Sequence, residues 1–177
     1  NFLIIKQMKK IILILAIALG AINLHAQDST FMYYFTDELE SVTYYMPTSD
    51  LVVSNTDKTE GAIIGFHLTY EGEFSFLTAT LIGLGNCNEE DKMIILFEDG
   101  SKINLVSWNK FNCEGTAYFN LSAEQKEKLS TIPVKTIRVT NGHSYESVTS
   151  SKGYNKRYFI QAFYSIDNKL FTLFNPK

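Results

Sequence analysis

The chain has 177 residues, with 16 Lys and Arg against 19 Asp and Glu and a formal charge of −3. A mildly acidic chain without a basic run is a poor partner for nucleic acid or an anionic membrane. Thirteen Phe and ten Tyr are many for this length and lean towards pleated, half-buried surfaces.

The first segment reads as a leader. Lys9 and Lys10 follow Met8, an apolar run extends from Ile11 to Leu19, and Leu24-His25-Ala26 precedes Gln27. A basic start, a short apolar stretch and a small residue before a polar one make a secretory signal peptide over 1–26, cut after Ala26. Met8 then stands as the initiator and residues 1–7 as upstream read-through. The alternative, one hydrophobic anchor from Phe2 onward, is interrupted by Lys6, Lys9 and Lys10, and a span needs roughly 20 apolar residues. Gln27 stands where a lipoprotein would need Cys, so no lipid anchor is expected. Removing 26 of the 177 residues leaves 151, a length for one β-rich domain over 27–177 with no transmembrane segment. Three Lys leave with the leader, so the remainder carries 13 basic and 19 acidic residues, a formal charge of −6. The expected location is the periplasm or the cell surface.

Residues 31–36 and 42–46 are aromatic runs that read as strands, the second ended by Pro47. Leu51 to Ser54 suits a short edge strand. From Ala62, the residues Ile64, Phe66, Leu68 and Tyr70 alternate with Gly65, His67 and Thr69, a period of two. Glu71-Gly72 offers a turn, and Phe74 to Leu81 returns as a hairpin. Met93 to Phe97 is apolar on both faces, as a central buried strand would be. Asp99-Gly100 suits a two-residue type I′ turn. That turn sets Leu96 opposite Ile103 and Ile94 opposite Leu105 on one buried face. Thr116 to Leu121 is a further strand. Ser122-Ala123-Glu124-Gln125 fits a capping box at the start of a short, polar helix. Lys135 to Thr140 is a strand, Asn141-Gly142 a second I′-type turn, and His143 to Val148 its return. Tyr158 to Ile166 can be read as a strand. The spacing of Arg157, Gln161, Ser165 and Asn168 instead favours a packed helix from about Asn155 to Asp167.

Cys87 and Cys113 flank the Asp99-Gly100 turn almost symmetrically, and an exported chain meets an oxidising environment, so a Cys87–Cys113 disulfide is expected. No CxxC motif is present, and neither Cys has a His at motif spacing. His67 and His143 are too few and too far apart in sequence to make a zinc site. Acidic residues cluster at Glu89-Glu90-Asp91 and Glu98-Asp99. The first cluster does not fit an EF-hand loop, and both read as solvated turn residues rather than a paired-carboxylate centre. No nucleophile elbow, P-loop or dinucleotide fingerprint appears. Gly83-Leu84-Gly85 reads as a strand exit. Tyr33, Tyr34, Tyr44 and Tyr45 could line a sugar-binding face, but ordinary strand residues half in the core are the preferred reading. No catalytic, cofactor-binding or metal-binding residues are assigned.

The runs Lys92–Lys102 (KMIILFEDGSK), Lys110–Gly115 (KFNCEG) and Lys135–Thr140 (KTIRVT) resemble small exported proteins of Bacteroidota, as does the Leu-His-Ala-Gln leader end. The resemblance covers roughly 85–165. It implies a secreted β-rich domain with paired cysteines and carries over no catalytic residue. The reading is thus a mainly β protein, an antiparallel β-sandwich or strongly curled sheet with one short helix and a C-terminal helix. It is expected to act as a non-catalytic binding or interaction module for a protein or small-molecule partner. The alternatives are a carrier of apolar or glycan ligands with an aromatic-lined cavity, and, more weakly, a hydrolase using carboxylate chemistry.

Overall fold

A computed structural model describes residues 32–39, 42–69, 75–85, 87–108, 113–150 and 153–165. The expected signal peptide and cleavage site, the expected Glu71-Gly72 turn and the expected end of the C-terminal helix fall outside the described residues. So do the side chains of Tyr33 and Tyr34.

Ten strands form two antiparallel sheets among the described residues. The larger sheet holds β1 (Met32–Asp37), β2 (Val42–Pro47), β4 (Gly61–Thr69), β5 (Ser75–Ile82) and β8 (Thr116–Asn120) in that order, with β3 (Leu51–Ser54) also paired to β4. The smaller sheet runs β10 (Ser147–Thr149), β9 (Val134–Thr140), β6 (Lys92–Phe97), β7 (Lys102–Val106). Period-two alternation gives each sheet one apolar face. Ala62, Ile64, Phe66 and Leu68 of β4 and Leu77, Ala79 and Leu81 of β5 share one buried core with Met93, Ile95 and Phe97 of β6 and Ile137 and Val139 of β9. The mainly β, sandwich-like architecture expected from the sequence is therefore present.

Helix α1 (Ala123–Thr131) starts as the capping box requires. Ser122 Oγ accepts from the Gln125 amide, and Gln125 Oε1 accepts from the Ser122 amide. Only Leu129 of this helix is buried. Residues 158–165 form a second helix, α2. The Asn155 side chain turns the chain into this helix, its Oδ1 accepting from the Arg157 amide at 3.0 Å. Tyr158, Phe159 and Ala162 face the core, with Phe159 edge-on to Phe66. Ser165, expected on the polar stripe, is buried instead with Ala162.

The β6–β7 hairpin departs from the expected register. The pairs are Met93 with Leu105, Ile95 with Ile103 and Leu96 with Lys102. Phe97 and Ser101 are bonded at 2.9 Å, and the Gly100 amide reaches the Phe97 carbonyl at 3.1 Å. The loop thus holds three residues, with Gly100 at φ 86° and Asp99 outside the left-handed region. This is a turn closed by a left-handed glycine rather than a type I′ pair. One extra loop residue shifts the register by one and exchanges the faces. Met93, Ile95 and Phe97 are buried, Ile94 is exposed and Leu96 half-buried, so β6 is buried on one face, not two.

The Asn141-Gly142 turn is also corrected. Thr140 pairs with Ser147, which leaves a six-residue loop over 141–146, and the return strand is only Ser147–Thr149.

Candidate functional site

Alternation that buries one face of the larger sheet turns the other outwards. On that face the register sets His67 of β4 across from Phe76 of β5, which faces Asn120 of β8. In the next row Gly65, Thr78 and Tyr118 are neighbours, followed by Ile63, Thr80 and Thr116. The His67 and Phe76 rings stack 4.5 Å apart, their planes 6° from parallel. Phe76 meets Tyr118 diagonally at 6.2 Å, and Tyr118 meets Trp108 at 5.3 Å. Trp108 follows β7, and its amide donates to the Tyr118 carbonyl at 3.0 Å, which holds the indole beside β8. Four rings thus form a continuous stripe across the outer face. Trp108, at 54 % exposure, is the most open of them.

Polar groups border the stripe. β2 and β3 share one edge of β4, Tyr44 and Tyr45 pairing with Thr69 and Leu68, and Leu51 with Ile64. The chain between them brings Asp50 next to Gly65 and His67. A Cβ on Gly65 would lie 2.5 Å from Thr78 Oγ1, 3.4 Å from His67 Nε2 and 3.6 Å from Asp50 Oδ1. The missing side chain therefore lets a hydroxyl, an imidazole nitrogen and a carboxylate converge beside Phe76. Burial holds the His67 pKa below its ordinary 6.5, opposed by the Asp50 charge. The imidazole is accordingly neutral at pH 7. Helix α2 supports this corner: the Tyr158 hydroxyl donates to the Ser49 carbonyl at 2.9 Å. Burial, and then Asp50, push the Tyr158 phenol far above its ordinary pKa, so it stays a donor.

Other candidates from the sequence have different roles. Cys87 and Cys113 are disulfide-bonded. Glu89 and Glu90 are exposed, but Asp91 is fully buried. Its Oδ1 accepts from the Gly142 amide at 2.9 Å, and Oδ2 accepts from the Asn88 side chain. Asn141, also fully buried, donates to the Cys87 carbonyl at 3.1 Å and accepts from the amides of His143 and Ser144. Asn88, Asp91 and Asn141 therefore latch the 141–146 loop to the segment before β6. Asp99 Oδ1 accepts from the Ser101 amide, and Glu98 pairs with Lys156 at 2.6 Å. His143 is exposed in its loop. Among the described residues, no group of three or more His, Cys, Asp or Glu is placed to hold a metal ion. Tyr45 is buried and Tyr44 half-buried.

Sequence reasoning missed the stripe because it read residues 74–81 and 116–121 only as strands and gave Trp108 no functional role. The outward parity of His67, Phe76 and Tyr118 was the available signal. A cavity of about 430 Å³ also opens near β3 and β4, lined by Val52, Ser54, Lys58, Gly61, Ile82 and Tyr154 among others. No protein-family model, curated protein or solved structure matches the chain.

Proposed function

We propose that the protein is an exported, non-catalytic binding module that holds its ligand on the outer face of the larger sheet. The observation that carries this reading is the aromatic stripe His67–Phe76–Tyr118–Trp108 with Asp50 and Thr78 at its border. Aromatic side chains favour burial or edge and face contact with other apolar groups. Rings left partly open beside acceptors and a hydroxyl suit a ligand with both an apolar face and hydroxyl groups. A pyranose ring has that chemistry, so the favoured ligand class is a neutral glycan. Among the described residues, the six strands of the larger sheet carry no Lys or Arg to attract an anionic ligand.

The test is calorimetric titration of soluble neutral glycans into wild-type protein and into Tyr118→Ala. The truncated variant is expected to lose about 0.5–1.5 kcal/mol, the range for one aromatic contact, or roughly a twofold to tenfold weaker affinity. Binding that is unchanged in both Tyr118→Ala and Trp108→Ala would refute the reading. The carrier alternative is favoured by the cavity of about 430 Å³, a volume within the range of small-molecule sites. Blockade of binding by Ile82→Arg, with the two aromatic variants unaffected, would assign the ligand to that cavity instead.

A further inference from the structure

The outer face of the smaller sheet has a different chemistry. Strands β6, β7, β9 and β10 carry Lys92, Lys102, Lys135 and Arg138 and no Asp or Glu, in a chain whose formal charge is −3. The register concentrates this charge. Ile94 lies opposite Arg138 on one side and Asn104 on the other, while Lys92 lies opposite Val106 and Leu96 opposite Lys102. Three cations therefore surround Ile94 on one face. Lys92, Lys102 and Arg138 are all exposed. None of the three forms an ion pair with another described residue. Between them Ile94 and Val106 are 36 % and 57 % exposed. Carboxylates lie in the connections, Glu98 and Asp99 in the β6–β7 turn and Glu146 before β10, not on the strands.

We propose that this face docks an acidic polypeptide segment that also carries aliphatic side chains. Charge complementarity selects the acidic partner, and Ile94, Leu96 and Val106 select the aliphatic component. No outward residue of these four strands is aromatic, so the face lacks the stacking platform that single-stranded nucleic acid uses and that the glycan reading places on the opposite sheet. The two faces then bind chemically distinct partners, and this proposal stands whether or not the larger sheet binds glycan.

The experiment is titration of a fluorescent peptide of alternating Glu and Leu, followed by anisotropy at low and high salt and by amide chemical shifts. Wild-type protein should bind more weakly as salt rises, since exposed charges are screened. The shifts should concentrate at residues 92–106 and 136–140. Lys92→Glu with Arg138→Glu should weaken binding at least tenfold, and Ile94→Ser should weaken it measurably at constant charge. Unaltered circular dichroism and Trp108 emission would show that the variants fold. Shift mapping of the wild type tests the proposal without any variant. Four outcomes would overturn it: no binding; shifts confined to another face; tighter binding of polygalacturonate, duplex DNA or phosphatidylglycerol vesicles than of the peptide; or self-association of the protein abolished by the charge reversals.

Discussion

Gly142 and Asp91 show how single residues fix the loop beside β6. Gly142 has no positive φ, so its role is not conformational freedom. A Cβ there would lie 1.9 Å from the Glu89 carbonyl oxygen, which leaves no room for one. Gly142→Ala should cost about 1–3 kcal/mol, as overpacking does, measured as a fall in the urea midpoint. Asp91→Ala should cost a similar amount, roughly 1–3 kcal/mol, by leaving the Gly142 amide and the Asn88 amide group unsatisfied. The sequence marked Glu89-Glu90-Asp91 as a solvated acidic run, and burial separates Asp91 from its two neighbours. No local pattern distinguishes the three, because the partners of Asp91 include a residue 51 positions away. His67 adds a pH dependence. Its folded pKa lies below 6.5, so below that value the unfolded chain binds more protons than the folded one. Stability should therefore decline as pH falls from 6.5 towards the folded pKa. Denaturant titrations across that window should show a shallower decline in His67→Gln.

At the scale of elements, the strands were legible and two connections were not. The alternation around Phe66 named the buried face of β4 correctly, and Ser122 with Gln125 marked the start of α1. Both features are local, set by side-chain periodicity and by one cap. The Asp99-Gly100 pair was also a true turn, but dipeptide identity does not count loop residues. The Asp99 side chain bonds the Ser101 amide and Gly100 alone takes the left-handed conformation, which makes three loop residues. That single residue decides whether Ile94 or Ile95 is in the core. Ile95→Ala should consequently cost about 2–5 kcal/mol, the range for emptying a buried site, whereas Ile94→Ala should cost well under half as much, as measured by chemical denaturation. The disulfide was legible despite the register error, since its two Cys lie outside the strands that shifted. It closes residues 26 apart, and replacing both Cys by Ala should cost roughly 2–5 kcal/mol.

At the scale of the whole molecule, the described residues present two outward sheet faces of unlike chemistry. One is aromatic and hydroxyl-bearing, with no Lys or Arg on its strands; the other is basic and aliphatic. Composition alone could not locate either, because 16 cations and 23 Phe and Tyr say nothing about parity until strands and register are known. Once they are known, His67, Phe76 and Tyr118 fall on one outward face by alternation, and Trp108 joins them through a backbone bond to β8. Trp108 is the one tryptophan of the chain, so its emission reports on the stripe without a label. The most direct measurement is therefore its fluorescence during titration with a neutral glycan that calorimetry shows to bind. The account predicts a saturable change in Trp108 emission with the calorimetric Kd, weakened in Tyr118→Ala. Calorimetric binding that leaves the emission unchanged, and that Tyr118→Ala does not weaken, would contradict it.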